Sequence, residues 1–158
     1  MAIILNDQEI LKLIHEKKIF PKEGQNIFQT KDKKGHKEQE ITIPRDDGSL
    51  FKIIFRQNKI NILDFSFILG YMAPRSNVLF RLRRYNGKSH EHTNGIEKDS
   101  FYDFHVHMAT ERYQQLAGFD EDDYAEVSDA YSDIHSAMEC FVKDCNIVLP
   151  TNDQMKLF

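Results

Sequence analysis

The chain has no tryptophan, only two cysteines and only four prolines in its 158 residues. So few cysteines exclude a disulfide-stapled scaffold and a four-cysteine zinc ribbon. Cys140 and Cys145 stand five apart in what reads as one helix, so their side chains diverge and no disulfide between them is expected. Long hydrophobic runs are lacking too. Each apolar stretch is broken by charge within a few residues, so no helix is expected to span a membrane. The opening Met1-Ala-Ile-Ile-Leu-Asn-Asp7 lacks the basic region and the apolar length of a secretory signal. The expectation is one cytoplasmic domain over residues 1–158, with reduced thiols and no membrane partner.

What the chain does have is segregated charge. The net charge is only -4, yet Arg75 to Lys88 holds five basic residues and no acid, and Asp120 to Asp133 holds seven acids and no base. Residues 12–37 add eight lysines against three acids. Such segregation can give a basic surface for phosphates despite a mildly acidic pI, and the acidic loop from Asp120 to Glu126 could meet a basic protein partner. Taken singly, each run is better read as a solvated face.

Periodicity sets the fold class. Asn6 and Glu9 form a capping-box pattern ahead of Ile10, Leu13 and Ile14, with Pro21 as a stop. Residues 22–40 read as a loop or a weak edge hairpin. Alternation then takes over: Glu40 to Ile43, Leu50 to Gln57, Ile60 to Tyr71, Val78 to Tyr85 and Phe101 to Met108 read as strands. Thr110 caps a short helix ending at Gly118, and Ser128 begins a longer one carrying Tyr131, Ile134, Met138, Phe141 and Cys145. The predicted architecture is α+β: an N-terminal helix, an antiparallel meander of four or five strands, and C-terminal helices packed on one sheet face.

Four of the seven histidines lie in two His-x-His pairs, His90/His92 and His105/His107, just after Arg81, Arg83 and Arg84. In a strand alternate residues share a face, so Tyr102, Phe104, Val106 and Met108 are expected in the core. Arg81, Arg83, Asp103, His105 and His107 are then expected together on the open face.

Three readings follow. In the first, the protein is a small intracellular RNA-binding or metal-independent RNase-like protein. His105 and His107 serve as acid and base, His92 closes the site, and Arg81 and Arg83 clamp phosphate. Tyr102 and Tyr113 would stack bases. In the second, His90, His92, His105 and His107 bind zinc or another first-row divalent metal, with Glu91 or Asp103 in support. In the third, the cluster is structural and the chain is an interaction or inhibitor module without chemistry.

The segments Phe80-Arg-Leu-Arg-Arg-Tyr-Asn-Gly87, His92-Thr-Asn94, Phe104-His-Val-His107 and the Cys-Asn-Ile ending at Ile147 resemble a family of small bacterial proteins without an assigned activity. The resemblance spans the second half of the chain, with Arg84 and Tyr85 where that pattern has an acid region and no proline after Asn94. It singles out Arg81 or Arg83, Asn86, Gly87, His92, Asn94, His105 and His107, and favours His92 over His90. More loosely, a helix before an antiparallel sheet with Arg and His on its face is similar to the plan of RelE and barnase-like RNase toxins. That similarity implies a toxin–antitoxin or phage–host conflict setting and RNA as ligand.

Overall fold

The computed structural model describes residues 3–20, 29–33 and 35–149. The expected stop at Pro21 and the tail beyond residue 149 lie outside them. The elements are α1 (Asp7–His15), β1 (Lys18–Ile19), β2 (Gln29–Lys33), β3 (His36–Pro44), β4 (Leu50–Asn58), β5 (Phe65–Met72) and β6 (Phe80–Asn86). They continue with β7 (His92–Thr93), β8 (Ser100–Phe101), β9 (His105–Met108), α2 (Glu111–Gln114), β10 (Ala125–Val127), α3 (Ile134–Asp144) and β11 (Ile147–Val148).

Seven strands form one open antiparallel sheet in the order β10-β9-β6-β5-β4-β3-β2. The five expected strands are its centre, and β2 and β10 extend the two edges. The fold is α+β, as the periodicity implies. The edge hairpin read between 22 and 40 is present as β2 paired with β3.

Cross-strand register sorts the side chains into two faces. One row runs Gln39, Phe55, Phe67, Tyr85, Val106, and the neighbouring row on the opposite face runs Glu40, Ile54, Ile68, Arg84, His107, Ala125. The first face carries the main core. Ile10 and Ile14 of α1, and Met138 and Phe141 of α3, are buried with Phe51, Phe55, Phe67, Leu69 and Tyr85. Phe141 packs 5.7 Å from Phe67 and 5.6 Å from Tyr85, centroid to centroid. Short β1 and β11 pair in parallel and tie the end of α1 to the end of α3. There the fully buried Lys18 ammonium donates to the carbonyls of Ile14, Glu16 and Cys145 at 2.7, 2.7 and 2.8 Å. Burial lowers its pKa to about 8, while three carbonyl acceptors saturate its three donors.

Four local expectations are corrected. Leu63 is not in a strand, because Asn58 and Asn61 accept backbone N–H groups of residues 60, 61 and 63 and close a turn before β5. The last central strand begins at His105 rather than Phe101, and Tyr102, expected in the core, is 51% exposed. Pairing with β6 starts only at Asn86–His105, so residues 102–104 have no ladder to hold them to an alternating pattern, and Phe101 pairs with His92 instead. The helix expected from Ser128 starts at Ile134, where Asp133 and Ser136 form the capping box. The helix after Thr110 ends at Gln114, short of Gly118. Asn146 does stop α3, adopting a left-handed φ of 53°.

Among the described residues no helix is long and apolar enough to cross a membrane. Both cysteines are free.

Candidate metal centre

The second sheet face is roofed where β6, β9 and β10 meet. The roof consists of the excursion from Gly87 to Phe104 and the connection carrying α2. Gly87 is required at the start of that excursion, since a Cβ there would sit 1.9 Å from the Leu63 carbonyl oxygen. The two roof segments are joined by Glu97, which binds the Arg112 guanidinium and accepts from the Tyr113 hydroxyl at 2.5 Å.

Beneath this roof three imidazoles converge. Each of His92, His105 and His107 offers one ring nitrogen, and these nitrogens lie within 4.8 Å of one another. Ring centroids are 4.7 Å apart for His92–His107, 5.0 Å for His105–His107 and 5.5 Å for His92–His105. His105 and His107 stand two apart on β9, which accounts for their shared face. His92 arrives from the roof, and its approach is set by Asn94. The Asn94 side chain accepts from the Ala125 N–H and donates to the Ala125 carbonyl, both at 2.8 Å. Ala125 is in turn the β10 register partner of His107. One buried amide thus clips the roof to the strand beside His107.

The hydrogen bonds orient each ring. His105 Nδ1 is 2.7 Å from the Asp103 carbonyl oxygen and His107 Nδ1 is 2.8 Å from that of Asp122. A carbonyl only accepts, so both Nδ1 atoms carry the proton and both Nε2 atoms keep a lone pair. The side chain of Asn86, braced by Ser66, faces His105 Nε2 at 3.5 Å. Burial lowers the pKa of His105 to about 4, opposed by its bond to Asp103. Burial and then the nearby Arg84 guanidinium lower that of His107 to about 2. Both rings are therefore neutral at physiological pH. Phe101 packs against His92 and His105 at 5.5 and 5.6 Å, and exposed His90 stands edge-on to His105 at 5.9 Å.

Two of the three arginines share this face, and Arg83 does not. Pairing of β5 with β6 shifts register between Leu69 and Gly70, so that Arg83 lies opposite Leu69 and Arg81 opposite Gly70, with Leu82 as the extra residue. The bulge sends Arg83 to the helix side, where Nη1 donates to the Tyr85 hydroxyl at 3.3 Å. Arg81 stays on the histidine face with Arg84. Both engage Asp122, at 3.4 and 3.1 Å. Asp122 is fully buried; burial raises its carboxyl pKa, opposed by Arg84 and Arg81. Glu121 and Asp120 also bind Arg81, at 3.2 and 3.4 Å. The acidic loop expected to meet a basic partner thus meets this chain's own arginines.

Tyr113 is fully buried, with its hydroxyl committed to Glu97 and the Ile96 N–H, and offers no stacking surface. Asn86 is buried on the floor beside His105. Tyr102 is the expected stacking residue that stands at the surface. The roles of Asp122 and Arg84 were not read from the sequence. Asp122 acts partly through a backbone carbonyl, which leaves no mark in residue type.

The model of a family of unknown function (DUF6978) matches residues 5–147, a span that includes the whole histidine site. The chain belongs to this family. No curated protein matches it, and no solved structure does. Membership names no reaction.

Proposed function

We propose that this protein binds a first-row divalent metal, with zinc the reference ion, through His92, His105 and His107. The observation that carries the reading is the convergence of three imidazole nitrogens within 4.8 Å on a buried floor. Tetrahedral zinc with Zn–N of about 2.0–2.1 Å needs nitrogens about 3.4 Å apart, so ring shifts of under about 1 Å close the set. Support comes from the surrounding shell. Metal-bound histidines characteristically donate their other N–H to a carbonyl or a similar acceptor, and His105 and His107 do so already. Neutral imidazole is the form of histidine that binds metal.

Three protein ligands leave one position for water or substrate, which is the arrangement of catalytic rather than structural zinc. A metal held here would act as a Lewis acid and lower the pKa of a bound water.

The metal-independent RNase reading is weaker on the same observations. It needs one imidazole protonated near neutral pH, and burial works against that in both His105 and His107. Its phosphate clamp needs Arg81 and Arg83 together, and they lie on opposite faces with partners of their own.

The test is elemental analysis of untagged protein, followed by zinc titration calorimetry of the metal-stripped form. About one equivalent is expected, with binding lost in His105→Ala and His107→Ala. Absence of zinc binding in folded wild type overturns the reading. Cleavage of total RNA by wild type in EDTA would replace it with the acid–base alternative.

A further inference from the structure

The three candidate ligands do not present the same nitrogen. Asn94 is 1% exposed and its amide orientation is set at both ends by one residue. The Ala125 N–H can only donate, so the atom 2.8 Å from it is the Asn94 oxygen; the Ala125 carbonyl can only accept, so its partner is the Asn94 amide nitrogen. A flipped amide would oppose donor to donor and acceptor to acceptor. That same oxygen lies 2.9 Å from His92 Nε2. An oxygen acceptor requires Nε2 to carry the proton, which leaves the lone pair of neutral His92 on Nδ1. His105 and His107 are held the other way, each with Nδ1–H on a backbone carbonyl.

We propose that Asn94 is a positioning residue that makes His92 a ligand through Nδ1, so the centre is a mixed set of one Nδ1 and two Nε2 donors. The proposal rests on the metal-binding reading and adds to it the ligating atoms and the residue that selects one of them. The metal lies closer to the Cβ of a histidine bound through Nδ1 than to one bound through Nε2. This suits His92, which reaches over the floor from a short roof strand, while His105 and His107 rise from β9. The arrangement also explains a fully buried asparagine whose side chain makes every one of its bonds to a single strand residue and a single imidazole. Because Ala125 pairs with His107 in the sheet, Asn94 ties the position of one ligand to the backbone beside another.

The experiment uses full-length ¹⁵N-labelled protein. Long-range ¹H–¹⁵N spectra of the metal-stripped form should show His92 protonated on Nε2, and His105 and His107 protonated on Nδ1. Loading with ¹¹³Cd should give scalar coupling to Nδ1 of His92 and to Nε2 of the other two. Wild-type protein suffices for both readings, so a variant that fails to fold does not block them. Among variants, Asn94→Asp keeps the oxygen acceptor for His92 Nε2–H but loses the donor to the Ala125 carbonyl, so it should keep the His92 tautomer and lose less zinc affinity than a variant with no acceptor. Asn94→Leu should lose the tautomer bias and weaken zinc binding by about 10–100-fold, as loss of a ligand-orienting partner typically does. Cadmium coupled through His92 Nε2, or His92 protonated on Nδ1 in the stripped protein, overturns the assignment while leaving the metal reading in place. Failure to take up either metal overturns both, and is distinguished by the absence of any coupling.

Discussion

The two faces of the sheet bury comparable side chains by opposite means. On the helix face, Phe67, Tyr85 and Phe141 are held by ring packing, and α1 and α3 supply apolar stripes to cover them. On the other face, Ser66, Asn86, His105 and His107 are just as buried, beneath a roof of irregular chain that contributes the equally buried Asn94 and Asp122. A hydrocarbon face tolerates any cover of the right volume. A polar face requires a partner for each donor and acceptor, because an unsatisfied buried group costs about 1–3 kcal/mol. The roof meets that demand at the two β9 histidines with the backbone carbonyls of Asp103 and Asp122, which a regular helix would have kept for itself, and β10 supplies the Ala125 carbonyl to Asn94. The contrast is sharpest inside β9, where Val106 joins the core and its neighbours His105 and His107 form the site floor.

Breaking the helix face should have the largest effect on stability. Phe141→Ala removes a ring packed on both Phe67 and Tyr85 and should cost about 3–5 kcal/mol in urea unfolding. The folded fraction should still take up zinc with unchanged stoichiometry. A cost under about 1 kcal/mol would mean that α3 is not anchored through this ring.

The polar face should give way to acid. In metal-stripped protein His105 titrates at about 4 against 6.5 when unfolded, so the unfolded state takes up its proton first. Stability is therefore full above pH 6.5 and is lost as pH falls from 6.5 through 4, by up to about 3 kcal/mol from His105 alone. His107 acts in the same direction. Urea midpoints measured at about pH 7 and about pH 5 check this; equal midpoints would show that the imidazoles are not held neutral in the folded state.

The smallest of the three effects tests whether the rule of full satisfaction also governs the helix face. Lys18 is its buried exception, bonded to three carbonyls at the ends of α1 and α3. Lys18→Met fills similar space but orphans those carbonyls, and should destabilise by about 1–3 kcal/mol at neutral pH. A neutral or stabilising result would mean that the desolvation of the ammonium outweighs its bonds.

The same division separates what could be read in advance from what could not. The capping box at Asn6 and Glu9, the central strands and the stop at Asn146 follow from short-range periodicity and turn chemistry, and all are present. The His105/His107 pair was legible because alternation on a strand is local. The arginine face was misread for an equally definite reason. A single bulge residue at Leu82 breaks the alternation between Arg81 and Arg83 and puts them on opposite faces, and a bulge leaves no clear mark in an alternating pattern. Tyr102 was misplaced because alternation was carried past the point where the ladder begins.

By itself, then, the sequence determined the α+β class, the central strands and the pairing of two histidines on one strand, because each depends on neighbours a few residues away. The resemblance already favoured His92 over His90, and the tertiary structure decided how His92 reaches that pair. It alone decided that Arg83 leaves the face and that the acidic loop turns inward to Arg81 and Arg84. Those outcomes depend on strand register and on long-range partners, 31 positions apart for Asn94 and Ala125, 40 for Arg81 and Glu121, and 38 for Arg84 and Asp122. Residue type does not encode which of these partners will meet; the assembled sheet and its roof do.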